Sequence, residues 1–159
     1  MTVYLLRHAR AGRRSAWKGD DAQRPLTKVG RRQAAALVTP LAGAGITRIL
    51  SSPSVRCRET VEPLARRLRV PIDLTEALAE GAPLHEILRL VDKAAGENTV
   101  LCTHGDVLQP MLEHLRDHGV DVGTRRKPPK MEKGSYWELR VKSGAVTRAT
   151  YQPPPTSGG

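Results

Sequence analysis

Two histidines and two arginines stand where strands of a parallel sheet are expected to end. Arg7 and His8 close an apolar segment at the start of the chain, and His104 closes the apolar run 98–103. In an open α/β sheet, ligands bind outside the carboxyl ends of the strands, so we expect the two histidines to meet there. Arg56 follows another apolar segment and is expected to join them.

The chemistry that these residue types favour is phosphoryl transfer. Guanidinium groups repel a metal ion, whereas they bind phosphate oxygens through paired hydrogen bonds. A neutral imidazole can attack phosphorus and hold it as a phosphoramidate, which divides one difficult displacement into two easier ones. A second histidine adds a hydrogen bond to the same oxygens. The leaving group then requires a proton from an acid.

The segments that must position these residues alternate between strands and helices. This alternation predicts an α/β fold, a three-layer sandwich whose mainly parallel central sheet is flanked by helices. The predicted strands of the parallel part are 2–7, 46–50, 70–74 and 98–103. Two further strands, 135–141 and 145–151, are separated by Lys-Ser-Gly and predict a C-terminal β-hairpin at the edge of the sheet.

Capping residues and prolines set the expected helix boundaries. Thr27 is predicted as the N-cap of a helix that ends near Gly43 or Gly45. Ser52 is predicted as the N-cap of the next helix, with Pro53 at its first position. Pro63 conflicts with one straight helix, so we expect a kink or a restart there.

The length favours one domain. With 159 residues, we predict a domain over 1–151 and a disordered tail over 152–159. No run approaches the ~18 apolar residues of a membrane span, and basic residues occupy the place of a signal peptide's apolar stretch. We therefore expect a cytoplasmic protein with no membrane partner.

The net charge of +10 predicts attraction to anions. Nucleic acid is disfavoured as the main partner, because the basic residues are not interleaved with aromatic ones. The basic residues between 10 and 18 and the loop 124–130 are most simply solvated, although they lie where they could rim a pocket. Cys57 and Cys102 have no metal-ligand spacing, so neither a zinc site nor a disulfide framework is suggested.

Four motifs, in order, resemble those of the histidine phosphatase superfamily, also called phosphoglycerate-mutase-like. They are "LLRHA", "RPLTKVGRRQA", "SSPSVRCRETVEPLA" and "THG", and the resemblance covers about residues 2 to 118. In size and pattern, the chain is most similar to short SixA-type phosphohistidine phosphatases. The stretch "WKGDDAQRPLTKVGRRQA" also looks like the phosphatase domain that is joined to Nudix hydrolases in some bacterial proteins.

The resemblance implies a role for each of the four residues above. His8 would be the phosphorylated nucleophile, and Arg7, Arg56 and His104 would complete the phosphate pocket. For the leaving-group acid the resemblance points to Glu80, with Glu76 as the alternative, and SixA-type members can lack a dedicated acid.

One residue departs from the family pattern. Ala9 stands where many members have glycine after the nucleophile, a small change that should spare the pocket. The insertion that supplies substrate contacts in true mutases is also absent, so we expect an open site and simple hydrolysis.

The resulting hypothesis is a metal-independent phosphatase without a cofactor that forms phosphohistidine on His8. Phosphohistidine on a protein is the leading substrate. The alternative within enzymes is a phosphatase of nucleotides or other small phosphoesters. The alternative from another class is a non-catalytic module that binds phosphate or nucleic acid, since fold does not fix function.

Overall fold

Six strands form one mixed sheet in the computed structural model, which describes residues 1–94 and 96–155. The strands are β1 (Thr2–Arg7), β2 (Ile46–Ser51), β3 (Ile72–Leu74), β4 (Asn98–Thr103), β5 (Tyr136–Lys142) and β6 (Ala145–Gln152). Their order is β3-β2-β4-β1-β5-β6. The first four strands pair in parallel, and β5 and β6 are antiparallel. The predicted mainly parallel sheet is therefore confirmed.

Helices cover both faces of this sheet, which confirms the three-layer prediction. They are α1 (Lys28–Ala36), α2 (Val38–Leu41), α3 (Val55–Leu68), α4 (Leu84–Lys93) and α5 (Gly105–Asp117). Alternate side chains of β1 point to opposite faces. Val3 and Leu5 pack with α4 and α5, whereas Tyr4 and Leu6 pack with α2 and α3.

The first helical segment begins as predicted and ends early. The Thr27 hydroxyl accepts a hydrogen bond from the Gly30 N–H at 3.0 Å and caps α1. The prediction of one helix that ends near Gly43 or Gly45 is wrong, because α1 ends at Ala36 and α2 follows it. Pro40 explains the break, since it has no N–H to donate to the Ala36 carbonyl.

The predicted start of the next helix is also wrong. α3 begins at Val55 with Ser54 in the N-cap position, so neither Ser52 nor Pro53 has the predicted place. The Ser52 N–H instead donates to the Cys102 carbonyl at 3.0 Å, which continues the pairing of β2 with β4. Pro63 lies inside α3 and the helix does not restart there.

The C-terminal hairpin is confirmed, with β6 at the edge of the sheet. β6 extends to Gln152, the first residue of the predicted tail, and residues 156–159 of that tail lie outside the described residues. Within the described part of the chain, no helix has the length and apolar character that a membrane crossing requires.

Candidate active site

The two histidines lie side by side because their strands are neighbours. β1 and β4 are parallel with Arg7 opposite Thr103, so both strands end at the same level. The His8 N–H donates to the Thr103 carbonyl at 3.1 Å and continues this pairing by one residue. The rings of His8 and His104 are both buried, with centroids 5.4 Å apart in an edge-to-face arrangement.

Hydrogen bonds fix the orientation of the His8 ring. Its Nδ1 is 2.8 Å from the Ala9 carbonyl, which can only accept, so the proton of the neutral ring is on Nδ1 and Nε2 keeps its lone pair. The Ala9 N–H in turn donates to the Thr60 hydroxyl at 2.9 Å. The alanine methyl group is buried beside Leu26 and Ala34, so it does not occupy the pocket.

The environment of His8 keeps its imidazole neutral. Burial is the main cause that lowers the pKa of His8 to about 3, and the charges on His104, Arg56 and Arg7 lower it further. The hydrogen bond to the Ala9 carbonyl acts in the opposite direction and is outweighed. His8 therefore offers an unprotonated Nε2 at neutral pH.

Two guanidinium groups flank the histidines and each has a buried nitrogen without a partner. Arg7 donates through Nη1 to the Met131 carbonyl at 2.8 Å, and Arg56 donates through Nη1 to the Asp21 carbonyl at 2.8 Å. Among the described residues, the buried Nε atoms of Arg7 and Arg56 lack a hydrogen-bond partner. Because an unsatisfied buried donor is costly, both guanidinium groups keep unused hydrogen-bonding capacity beside the two histidines.

A cavity of about 930 Å³ opens at these strand ends, and cations dominate its lining. Its basic side chains are Arg7, Arg10, Arg13, Arg14, Arg24, Arg56 and Lys133. Its acidic side chains are Glu80 and Asp106. Burial lowers the pKa of Lys133, and the charges on neighbouring arginines lower it further, which reflects a strongly positive potential.

Some of the site residues predicted from the sequence line this cavity, and others do not. Arg7, His8, Arg56, Glu80 and His104 all line the cavity. The alternative acid, Glu76, is not among the residues that line it. Of the basic residues that could have formed its rim, those at 10, 13 and 14 do so, whereas Lys18 and the basic residues of the loop 124–130 are not among the lining residues.

Glu80 binds two arginines of the cavity. Its carboxylate accepts from Arg14 Nη2 at 2.6 Å and from Arg56 Nη2 at 3.1 Å. Partial burial alone would raise the pKa of Glu80, but the hydrogen bond from Arg14 and the charges of both arginines outweigh it and lower the pKa. Glu80 is therefore ionised at neutral pH.

Ser52 is a site residue that sequence reasoning missed, because it was assigned to a helix cap. Its hydroxyl lies 2.9 Å from His104 Nε2, and both groups are buried. The Arg56 guanidinium can only donate, so the contact of 3.5 Å from its Nη2 to His104 Nδ1 requires that Nδ1 accepts and that Nε2 donates to Ser52. Ser52 and Arg56 together fix the orientation of the His104 ring. The apolar run before Ser52 was the available signal, because Ser52 continues that strand.

Asp21 was missed as well, and its position in a loop gave no periodic signal. Its carboxylate lies 3.2 Å from Arg56 Nη2, and its backbone carbonyl accepts from Arg56 Nη1. A second ion pair, at 3.0 Å, joins Asp21 to Arg24. Asp21 therefore holds the Arg56 guanidinium in place from the side opposite α3.

The N-terminus of α5 also faces the cavity. Gly105 and Asp106, its first two residues, line the cavity. The unpaired backbone N–H groups of a helix N-terminus favour an anion. A Cβ atom at Gly105 would lie 3.0 Å from the Arg7 guanidinium, so glycine lets Arg7 lie close against this helix.

Groups of metal-binding residues are not found in the described ranges: no three His, Cys, Asp or Glu side chains there are arranged to hold a metal ion. Cys57 and Cys102 are both buried free thiols within the core.

Solved structures with the same fold act on different substrates. The structure aligns over 99% of its length with 97% of a protein histidine phosphatase SixA complexed with tungstate, at a TM-score of 0.76 and 21% identity. It aligns over 97% of its length with 98% of a mycobacterial glucosyl-3-phosphoglycerate phosphatase, at a TM-score of 0.68 and 15% identity. These likenesses show the fold alone.

Sequence comparisons identify the family to which the chain belongs. The chain is 37% identical, over 97% of its length, to an 8-oxo-(d)GTP phosphatase of Mycolicibacterium smegmatis. It spans about half of that relative, 48% of its length. Residues 3–82 match the family model described as the histidine phosphatase superfamily (branch 1). The order of the motifs, the fold and this match lead to one conclusion: the chain belongs to branch 1 of the histidine phosphatase superfamily.

Proposed function

We propose that this chain is a phosphatase that forms a covalent phosphohistidine on His8, without a metal or another cofactor. The observation that carries the proposal is the fixed, neutral His8 ring beside two guanidinium groups whose buried Nε atoms lack partners within the described residues. A tetrahedral phosphoryl group beside His8 would accept hydrogen bonds from both guanidinium groups. The tungstate complex of the SixA structure supports this interpretation, because tungstate is also a tetrahedral oxyanion.

In the first step, His8 Nε2 attacks phosphorus. The N–P bond forms while the bond from phosphorus to the leaving group breaks. Arg7, Arg56 and His104 bind the phosphoryl oxygens and stabilise the charge on them in the transition state. In the second step, water attacks phosphorus, the N–P bond breaks and inorganic phosphate leaves.

Glu80 is the proposed donor of the leaving group's proton. Arg14 and Arg56 keep it ionised. A bound phosphate pairs with the Arg56 guanidinium in place of Glu80, and it brings negative charge close to the Glu80 carboxylate. Both effects raise the pKa of Glu80 toward the range in which it can hold a proton. The proton then passes to the leaving oxygen.

Nucleotides are the substrates that the cavity charge favours. Seven basic side chains line the cavity against two acidic ones, far more charge than a single phosphate requires. Arg10, Arg13 and Lys133 are exposed, and no ion pair within the residues described engages them. The name of the 37% identical relative, an 8-oxo-(d)GTP phosphatase, points to the same class.

Phosphohistidine on a protein, the leading expectation from the sequence, remains the second candidate. The ionised state of Glu80 favours it, because an imidazole leaving group needs less help from an acid than an alkoxide does. Substrate preference is tested by comparing kcat/KM for a phosphohistidine peptide with kcat/KM for nucleoside phosphates. A higher value for the nucleotides supports the first candidate, and a higher value for the peptide supports the second.

The catalytic proposal is tested by turnover of an aryl phosphate in the presence of EDTA. The wild-type protein should release phosphate and His8→Ala should not. Lys18→Ala, a change at a residue that does not line the cavity, is the matched control and should retain full activity. Activity that survives His8→Ala, or that EDTA abolishes, would refute the proposal and favour the binding-module alternative.

A further inference from the structure

A second, smaller cleft adjoins the phosphate cavity. Its volume is about 180 Å³. Four residues line both spaces: Gly12, Arg13, Arg24 and Thr27. The remaining lining residues are Ala16, Trp17, Pro25 and Leu26, all apolar. The two spaces therefore adjoin, and the smaller one adds apolar surface beside the phosphate cavity.

Trp17 gives this cleft an aromatic wall. Its side chain is 37% exposed, whereas Trp137 is buried in the core. The indole N–H of Trp17 donates to the Asp20 carbonyl at 2.9 Å, which fixes the orientation of the ring. An exposed aromatic ring that is already held in place loses little conformational entropy when a planar group stacks on it.

The backbone on both sides of the cleft is held by contacts with the rest of the site. Ala11 and Leu26 form an isolated antiparallel bridge beside the cleft. Arg24 is buried, donates to the Gly12 carbonyl and pairs with Asp21. Asp21 also binds Arg56 of the phosphate cavity, so the cleft and the cavity share one hydrogen-bonded framework.

We infer that the Trp17 cleft binds the base of a nucleotide whose phosphate lies beside His8. The base would stack on the indole of Trp17 and contact Pro25 and Leu26. Arg13, which borders both spaces, would lie beside the part of the substrate that connects base and phosphate. This inference rests on the proposed function, and it adds a specificity site to which neither the sequence motifs nor the relatives assign a role.

Two substrates that differ only in the base test the inference. Guanosine 5′-monophosphate and ribose 5-phosphate carry the same sugar and phosphate. Trp17→Ala should lower kcat/KM for the nucleotide about tenfold, chiefly through KM, and leave kcat/KM for ribose 5-phosphate unchanged, because stacking on an aromatic side chain contributes to the binding of the base alone. Trp17→Phe keeps an aromatic ring and should retain most of the nucleotide activity.

Leu74→Ala is the matched control, because Leu74 is a half-exposed apolar residue on β3 outside both cavities. It should change neither substrate's kinetics. Equal losses on both substrates in Trp17→Ala, or no loss on either, would overturn the inference.

A direct binding measurement separates this inference from the catalytic proposal. Guanosine 5′-monophosphate added to the His8→Ala protein should quench tryptophan fluorescence, and ribose 5-phosphate at the same concentration should not. Quenching in a wild-type protein that forms no phosphohistidine would refute the catalytic proposal alone. Absence of nucleotide-specific quenching in a protein that hydrolyses aryl phosphate would refute the base site alone.

Discussion

At the scale of single residues, the site depends on the protonation of His8. A nucleophilic imidazole must keep one nitrogen unprotonated and aimed at phosphorus. The Ala9 carbonyl binds the other nitrogen, and burial beside Arg7 and Arg56 lowers the pKa to about 3. A solvent-exposed histidine would instead lose half of its nucleophilic form near pH 6.5.

The low pKa of His8 predicts a pH dependence of folding stability. Between about pH 6.5 and pH 3, the unfolded chain binds a proton on this histidine that the folded chain does not. The free energy of unfolding should therefore decrease as the pH falls through this window, by up to about 1.4 kcal/mol per pH unit. Urea denaturation at several pH values measures it.

The matched variant for that measurement is His8→Asn, which cannot bind the proton and should show a shallower decrease. An NMR titration provides a second check, since the His8 ring should not titrate between pH 8 and pH 5. A titration midpoint near 6.5 would contradict the neutral, buried nucleophile.

Glu80→Gln should separate the two kinds of leaving group. The variant cannot donate a proton, so kcat for hydrolysis of an alkyl phosphoester should fall by about 10²-fold or more. Hydrolysis of a phosphohistidine peptide should fall much less, because imidazole leaves with little acid help. Steady-state kinetics on both substrates measures the difference, and equal slowing would count against Glu80 as the leaving-group acid.

At the scale of elements, the close packing of α1 holds one rim of the cavity. The Arg10 carbonyl accepts from the Thr27 N–H at 3.0 Å, and the Gln33 side chain accepts from the Arg10 N–H at 2.9 Å and donates to the Lys133 carbonyl at 3.2 Å. Gln33 thus joins two loops that carry cavity cations. A Cβ atom at Gly30 would lie 1.9 Å from the Arg10 carbonyl oxygen, so only glycine permits this approach.

Gly30→Ala should therefore displace the loop that carries Arg10. We expect a loss of about 1–3 kcal/mol in the free energy of unfolding, as for other overpacked sites, with reduced phosphatase activity. Gly43→Ala is the control, because no atom of residues 1–94 or 96–155 would lie within 4 Å of its Cβ position. It should change stability by less than about 0.5 kcal/mol. Chemical denaturation compares the two, and similar stabilities would contradict the close packing.

Strand ends were easier to predict than helix starts. β1 and β4 are buried on both faces and appear in the sequence as apolar runs with abrupt polar ends, so the positions of His8 and His104 followed directly. Ser52 and Pro53 have the composition of a helix start, but pairing of β2 with β4 continues through Ser52. The hydrogen bond between the two strands outweighs the local preference of Ser52 and Pro53 for a helix start.

The parts of the site that come from loops could not be predicted. Asp21 binds Arg56 of the cavity and Lys133 lines the cavity, and the positions of both residues depend on contacts distant in sequence. Glu80 was placed by resemblance, and its two arginine partners were not foreseen. Residues outside long helices and strands have no regular spacing, so no periodic pattern in the sequence indicates such contacts.

At the scale of the whole molecule, many positive charges lie around the cavity at the strand ends. The net charge is +10, and seven basic side chains line one cavity. Such a field attracts anionic substrates and weakens as salt is added. Proteins with this fold differ in substrate, so selectivity must come from the residues around the pocket rather than from the sheet.

Removing rim charges should therefore raise KM without changing the chemical step. Arg10→Gln and Lys133→Gln should each increase KM for a nucleoside diphosphate several-fold, with kcat within about twofold, and should make KM less sensitive to salt. Lys127→Gln removes the same charge from the loop 124–130 outside the cavity lining and is the control. A similar rise in KM in all three variants would show a general surface effect instead.

The detection of phosphate on His8 is the most direct test of the proposed phosphohistidine intermediate. The wild-type protein, mixed with an aryl phosphate and quenched in alkali within milliseconds, should carry one acid-labile phosphate, which tandem mass spectrometry should locate on His8. His8→Ala should carry none and should not turn over. Rapid turnover without a labelled histidine, or a label on another residue, would contradict the proposed mechanism.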